Sequence, residues 1–187
     1  MGRIETLAQR FGLHISAPWQ RTIAGAQRVI VLVYDPELER TLRARKGLFE
    51  HETISGLHEW LEVDLTDAFA RWMAGQEYRE AYFESPDDLR LKIEGERSEF
   101  SDFVADMINA TLKRASVNSV VALFGLGSIF GFARVSQILR DLEPEIVGRL
   151  AAFFPGQYEN NNYRLLDARD GWNYLAVPIT TAGLENP

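Results

Sequence analysis

"RVIVLVYDPELER", residues 28–40, decides the fold class. From Val29 to Tyr34 the run is continuous, apolar and rich in β-branched residues, the composition of a strand buried on both faces. Asp35 then supplies a side-chain oxygen suited to capping a helix, and Pro36 suits the first helical position. A buried strand that feeds at once into a helix is the unit from which parallel sheets are built.

The same alternation recurs outward from this stretch. Ile4, Leu7, Ala8 and Phe11 recur at helical spacing and predict an amphipathic helix over 3–13. "WLEVDLTDAFARWMAG" (60–75) reads as a short strand turning into a helix that stops at Gly75. Residues 76–97 are polar and predict a loop or peripheral excursion. Phe100, Phe103, Val104, Met107, Ile108 and Leu112 mark the next helix, with Ser98 as its cap. A strand over 119–125, a helix over 131–142 and a strand over 147–156 follow. The Asn-rich and Asp-Gly turns of "ENNNYRLLDARDGWNYLAVPI" then predict a strand, a tight turn and another strand. The pattern predicts one α/β domain over 1–187. Its sheet is mostly parallel and covered by helices on both faces, Rossmann- or P-loop-like without a Walker A motif, with an antiparallel edge at the C-terminus.

Composition narrows the function classes. The 187 residues contain no cysteine, which excludes disulfides, thiolate metal sites and a cysteine nucleophile. No signal-peptide core and no apolar run of membrane-spanning length occurs, so the expectation is a cytoplasmic protein with no membrane partner. The net charge of −7 is unevenly placed. Residues 1–46 carry eight Lys and Arg against four Asp and Glu, whereas residues 47–106 carry five against sixteen. That acidic middle opposes nucleic-acid binding and favours a basic partner face.

Chemistry is sought first at "LFGLGSIFGF", residues 123–132. A P-loop needs a Gly-Lys-Ser/Thr ending, but Phe130 stands where the second glycine belongs and no lysine follows Lys113. A dinucleotide fingerprint fails too, because its third glycine comes one residue late, at Gly131. The turn after the first strand has no glycine, and Asp35 and Glu37 would repel an anion. Weak nucleotide binding on Gly125, Gly127, Ser128 and Arg134 is the alternative reading, since a helix is expected to start near them. A packing turn or a protein-docking loop suits the apolar Leu126, Ile129 and Phe130 better.

His51 and His58 could lie two turns apart on one helix face, but no third ligand accompanies them and Gly56 intervenes. Asp167, Arg169 and Asp170 stand in a hairpin-like turn. The residues point to no catalytic group, no metal and no cofactor. Aromatic residues concentrate near the C-terminus beside arginines, the composition of protein-binding hot spots. Phe130, Phe132, Arg164, Arg169 and Trp172 are the partner-binding candidates.

"RVIVLVYDP", "ALFGLGSIFGFARVSQILRDLEPEIVGRLAAFFPG" and "YRLLDARDGWNYLAVPI" together resemble the BrxB family of BREX bacteriophage-defence systems. The resemblance spans roughly residues 28 to 180 and is strongest after 120. It implies a small accessory subunit of a bacterial defence system that also includes a DNA methyltransferase, a large ATPase and the alkaline-phosphatase-like PglZ. It further implies function through contacts with those proteins, PglZ first, and it transfers no catalytic motif.

Overall fold

The computed structural model describes residues 2–20, 22–95, 97–168 and 171–181. Strand β1 (Val29–Tyr34) is buried along its whole length, as its composition requires. It lies between β4 (Arg149–Glu159) and β7 (Val177–Thr180), parallel to both. β3 (Ser119–Phe124) joins the other side of β4, and β2 (Glu59–Asp64) forms the far edge, again in parallel. The parallel order is therefore β2-β3-β4-β1-β7. It matches neither the 3-2-1-4-5-6 nor the 2-1-3-4-5 order of the doubly wound sheets.

Because side chains alternate across a strand, the sheet feeds two cores. Ile30, Leu32 and Tyr34 face α1 (Arg3–Ser16), α2 (Glu39–Ala44) and α3 (Gly47–Ser55) through Phe11, Leu42 and Phe49. Val29, Val31 and Val33 face the opposite layer. That layer is α4 (Ala68–Ala74), α7 (Glu99–Leu112) and α8 (Val135–Leu142), which contribute Trp72, Phe100 and Leu139. The α/β class, the mostly parallel sheet and the two covered faces agree with the expectation.

Local signals act as their chemistry dictates. The Asp35 side chain accepts from the Glu37 amide at 3.0 Å and opens a 3-10 turn on Pro36. Ser98 caps α7 by accepting from the Ser101 amide at 3.1 Å. The hairpin from β4 into β5 (Asn162–Leu165) turns at Asn160 and Asn161, with φ of 51° and 62°, the left-handed pair that a tight hairpin needs.

Four expectations are corrected. The excursion over 76–97 contains α5 (Arg79–Glu84), a 3-10 turn and α6 (Arg90–Ile93), and Tyr82, Leu89 and Ile93 rest on the core. The helix expected over 131–142 begins only at Val135, where the buried positions Val135, Ile138, Leu139 and Leu142 start to recur at helical spacing. Gly131, at φ 82°, keeps the chain out of the helix before that. The antiparallel pairing is not at an edge of the parallel sheet. β4 runs past Pro155, and β5 (Asn162–Leu165) pairs with that extension, followed by β6 (Trp172–Asn173). The C-terminal edge strand β7 is parallel. Finally, His51 sits on α3 whereas His58 lies beyond its Gly56 cap, so the two share no helix face.

Candidate functional site

Ligands of open α/β sheets gather beyond the carboxyl ends of the strands. After β1 and β2 that position is filled by an ionic network. Arg43 reaches Glu39 with Nε at 2.8 Å, Asp64 with Nη1 at 2.9 Å and Thr66 with Nη2 at 2.6 Å. The Thr66 amide donates to Asp64 at 2.9 Å, and the Tyr34 hydroxyl donates to Glu39. Burial, and then the Glu39 hydrogen bond and charge, push the Tyr34 phenol far above its ordinary value. Burial also pulls the Asp64 carboxyl upward, but the hydrogen bonds from Thr66 and Arg43 and the Arg43 charge hold it below the usual range. Carboxylates and a committed arginine occupy the place where a phosphate site would present free N–H groups.

That network gives a pH prediction. A carboxyl with a depressed folded pKa contributes stability that is complete above its unfolded pKa and is lost as pH falls through the folded value. Asp64 is half-exposed and screened, so Asp64→Asn costs about 1 kcal/mol or less near neutral pH. Urea denaturation of both proteins checks this: the gap is full at about pH 7 and narrows as pH falls below the ordinary aspartate value of about 4. An unchanged gap at the lower pH contradicts the assignment.

The glycine stretch after β3 is a packing turn. Gly125 adopts φ 80°, and a β-carbon there would stand 2.6 Å from the Thr66 amide nitrogen. Leu126 and Ile129 are buried in the core, while Gly127 lies against Pro155 and Leu166. Ser128 is exposed. A 3-10 turn over Leu126–Ile129, not a helix, follows the strand, and the helix that could bind an anion starts at Val135. Arg134 lines the groove described next, whose walls include none of Gly125, Gly127 and Ser128.

The structure does assemble part of the docking set. A groove of about 530 Å³ opens between α6, the 130–136 segment and the β5–β6 hairpin. Its walls include Ile93, Phe130, Phe132, Arg134, Leu165 and Trp172. Phe130 is 37% exposed. Phe132 is half-buried, stacked on Phe69 at 4.5 Å, so the two phenylalanines have different roles. Trp172 closes one wall against Tyr163 at 5.1 Å and Tyr174 at 5.4 Å. Arg134 stands exposed at the rim, where no hydrogen bond or ion pair engages its side chain among the described residues.

Arg164 is not part of this groove. It alternates to the other face of β5, in a small hollow of about 110 Å³ with Gln157 and Glu159. Arg169 and Asp170 lie outside the described residues. The contribution of Ile93, Glu94 and Gly95 is absent from the sequence reading, and the four-residue spacing of Leu89 and Ile93 is the signal that carries it.

A groove walled by aromatics, with the exposed Arg134 at its rim, is suited to hold a protein side chain or segment. Among the described residues no helix is long and apolar enough to cross a membrane, and no group of three or more His, Asp or Glu could hold a metal ion. Neither a curated protein nor a solved structure matches the chain. A family model described as BREX protein BrxB matches residues 62–179, which run from β2 into β7 and include every residue named in the groove walls. With more than half of its length inside that match, the chain belongs to the BrxB family of BREX proteins.

Proposed function

We propose that this chain is a non-catalytic docking subunit of a BREX complex, binding its partner through the Phe130–Trp172 groove, with PglZ as the first candidate. Family membership makes it a component of a BREX defence system associated with other BREX proteins. The observation that carries the docking reading is the groove itself, where an exposed Phe130 and an unengaged Arg134 meet a tryptophan wall. Aromatic and arginine side chains in a partly dry pocket are the groups that dominate protein interfaces. On this reading the sheet is a P-loop-like scaffold whose strand-end loops serve a protein instead of an anion. The Glu39–Arg43–Asp64 network at the expected phosphate position favours that assignment. The cytoplasm is the proposed compartment, as for the other components of such a system.

The double variant Phe130→Ser/Arg134→Glu tests the groove, since both residues are exposed and neither supports the core. It is expected to weaken association with PglZ at least tenfold, a loss of about 1.4 kcal/mol or more, with an unchanged circular dichroism spectrum. Binding at wild-type strength by the folded variant would remove the groove from the interface.

A further inference from the structure

At the other end of the sheet, Arg149 opens β4 and is only 8% exposed. Its guanidinium lies 4.6 Å from the Trp19 ring centroid and donates from Nη1 to the neighbouring Gly148 carbonyl at 3.1 Å. Trp19 is itself fixed: its indole N–H donates to the Ile15 carbonyl at 2.9 Å, and it stacks on His58 at 3.8 Å. No carboxylate pairs with Arg149 among the described residues. The surrounding charge is also positive. Burial and then the Arg28 charge lower the Arg149 pKa, and burial and then the Arg149 charge lower that of His14. A guanidinium carries five N–H donors, of which this one spends a single donor on a backbone carbonyl. Among the described residues the fully buried side-chain polar atoms without partners are Glu5 Oε2, Asn109 Oδ1 and Tyr174 Oη, so the remaining Arg149 donors keep some contact with solvent.

We propose that the Arg149–Trp19 cradle receives one carboxylate of a partner protein. A nearly buried cation with no anion is costly to the folded chain alone, and such a cost is recovered when a ligand supplies the missing charge. The planar fork of arginine matches a carboxylate with two parallel hydrogen bonds, and the Trp19 face holds the fork in one plane. A single carboxylate supplies the one negative charge that this guanidinium lacks. The inference rests on the docking reading only for the source of that carboxylate, because the cradle is remote from the groove.

The test begins with the full wild-type chain labelled with ¹⁵N-arginine. Sodium acetate, sodium phosphate and sodium chloride are titrated at matched ionic strength, and the Arg149 Nε–Hε signal is assigned by its loss in Arg149→Met. Acetate is expected to shift that signal saturably at millimolar concentration, well before chloride. Arg149→Met is expected to melt roughly 2–4 °C higher, because it removes an unpaired buried charge, and to lose at least tenfold in partner capture. Arg149→Lys, which keeps the charge but not the fork, is expected to lose capture as well. Equal shifts with acetate and chloride overturn the proposal, and so does a phosphate response exceeding that of acetate. A lower melting temperature with full capture also overturns it, making Arg149 a structural partner of the α1 C-terminus. The two readings fail separately: Phe130→Ser/Arg134→Glu with normal capture sinks the groove alone, and a flat acetate titration sinks the cradle alone.

Discussion

Phe153→Ala is expected to lower stability by about 3–5 kcal/mol, the range for deleting a fully buried phenylalanine. Phe153 is 0% exposed in the middle of β4, in register with Leu32 of β1. Its ring stacks on Phe124 at 4.2 Å and meets Phe49 edge-on at 4.8 Å. These contacts tie β3, β4 and α3 together, so the cavity cannot close by moving one element alone. The neighbouring Phe154 points through the sheet to the other layer, where it meets Tyr163 at 5.8 Å and Trp172 at 6.0 Å. For a chain of this size the loss corresponds to a fall in melting temperature of roughly 6–20 °C. Urea denaturation and a thermal melt measure it, and a cost below about 1 kcal/mol would mean that the layer between α3 and the sheet is packed differently.

Gly125→Val is expected to cost about 2–5 kcal/mol, the sum of a left-handed backbone penalty and a steric clash. The φ of 80° disfavours any side chain, and the β-carbon would lie 2.6 Å from the Thr66 nitrogen and 3.0 Å from the Leu65 carbonyl carbon. Both are main-chain atoms that cannot swing aside. The Leu65 amide donates to the Phe124 carbonyl at 2.9 Å, so relief of the clash would pull at the β2–β3 pairing. Gly131→Ala is the control. Its φ of 82° is equally unfavourable, but nothing lies within 4 Å of the added carbon, so about 1–2 kcal/mol is expected from the backbone alone. Denaturation midpoints of the two variants separate the clash from the conformational cost. Equal costs would contradict the close approach of the 125 turn to the 64–66 turn.

The fold was legible where local chemistry has one outcome. A run such as Val29 to Tyr34 has to be buried on both faces, so it forces helices onto both sides of the sheet. Ser98 and the Asn160–Asn161 turn were readable because a cap and a left-handed pair each need particular side chains. Pairing partners were not readable. Whether β7 lies parallel beside β1, or β5 adds to the far end of β4, depends on residues more than a hundred positions apart in the first case. α3 escaped because only Phe49 and Thr53 are buried on it, which leaves almost no periodic signal.

The candidate site was half legible for the same reason. Phe130, Arg134 and Trp172 carry the composition of a binding surface, and the fold brings them to one groove. Composition cannot say that Phe132 spends its ring on Phe69 or that Arg164 alternates to the other face of its strand. Nor does composition reveal the Arg149 cradle, since a lone arginine before a strand shows its burial only once Trp19 is folded over it.

On the proposed function, this BrxB-family chain works by holding another BREX protein. Affinity capture of the tagged wild-type chain from cells carrying the whole system tests it most directly, followed by size exclusion of the eluate. PglZ is expected to co-purify and co-elute with the chain at a fixed ratio, and Phe130→Ser/Arg134→Glu is expected to weaken that association at least tenfold. Recovery of the folded wild-type chain free of every other BREX protein would contradict it.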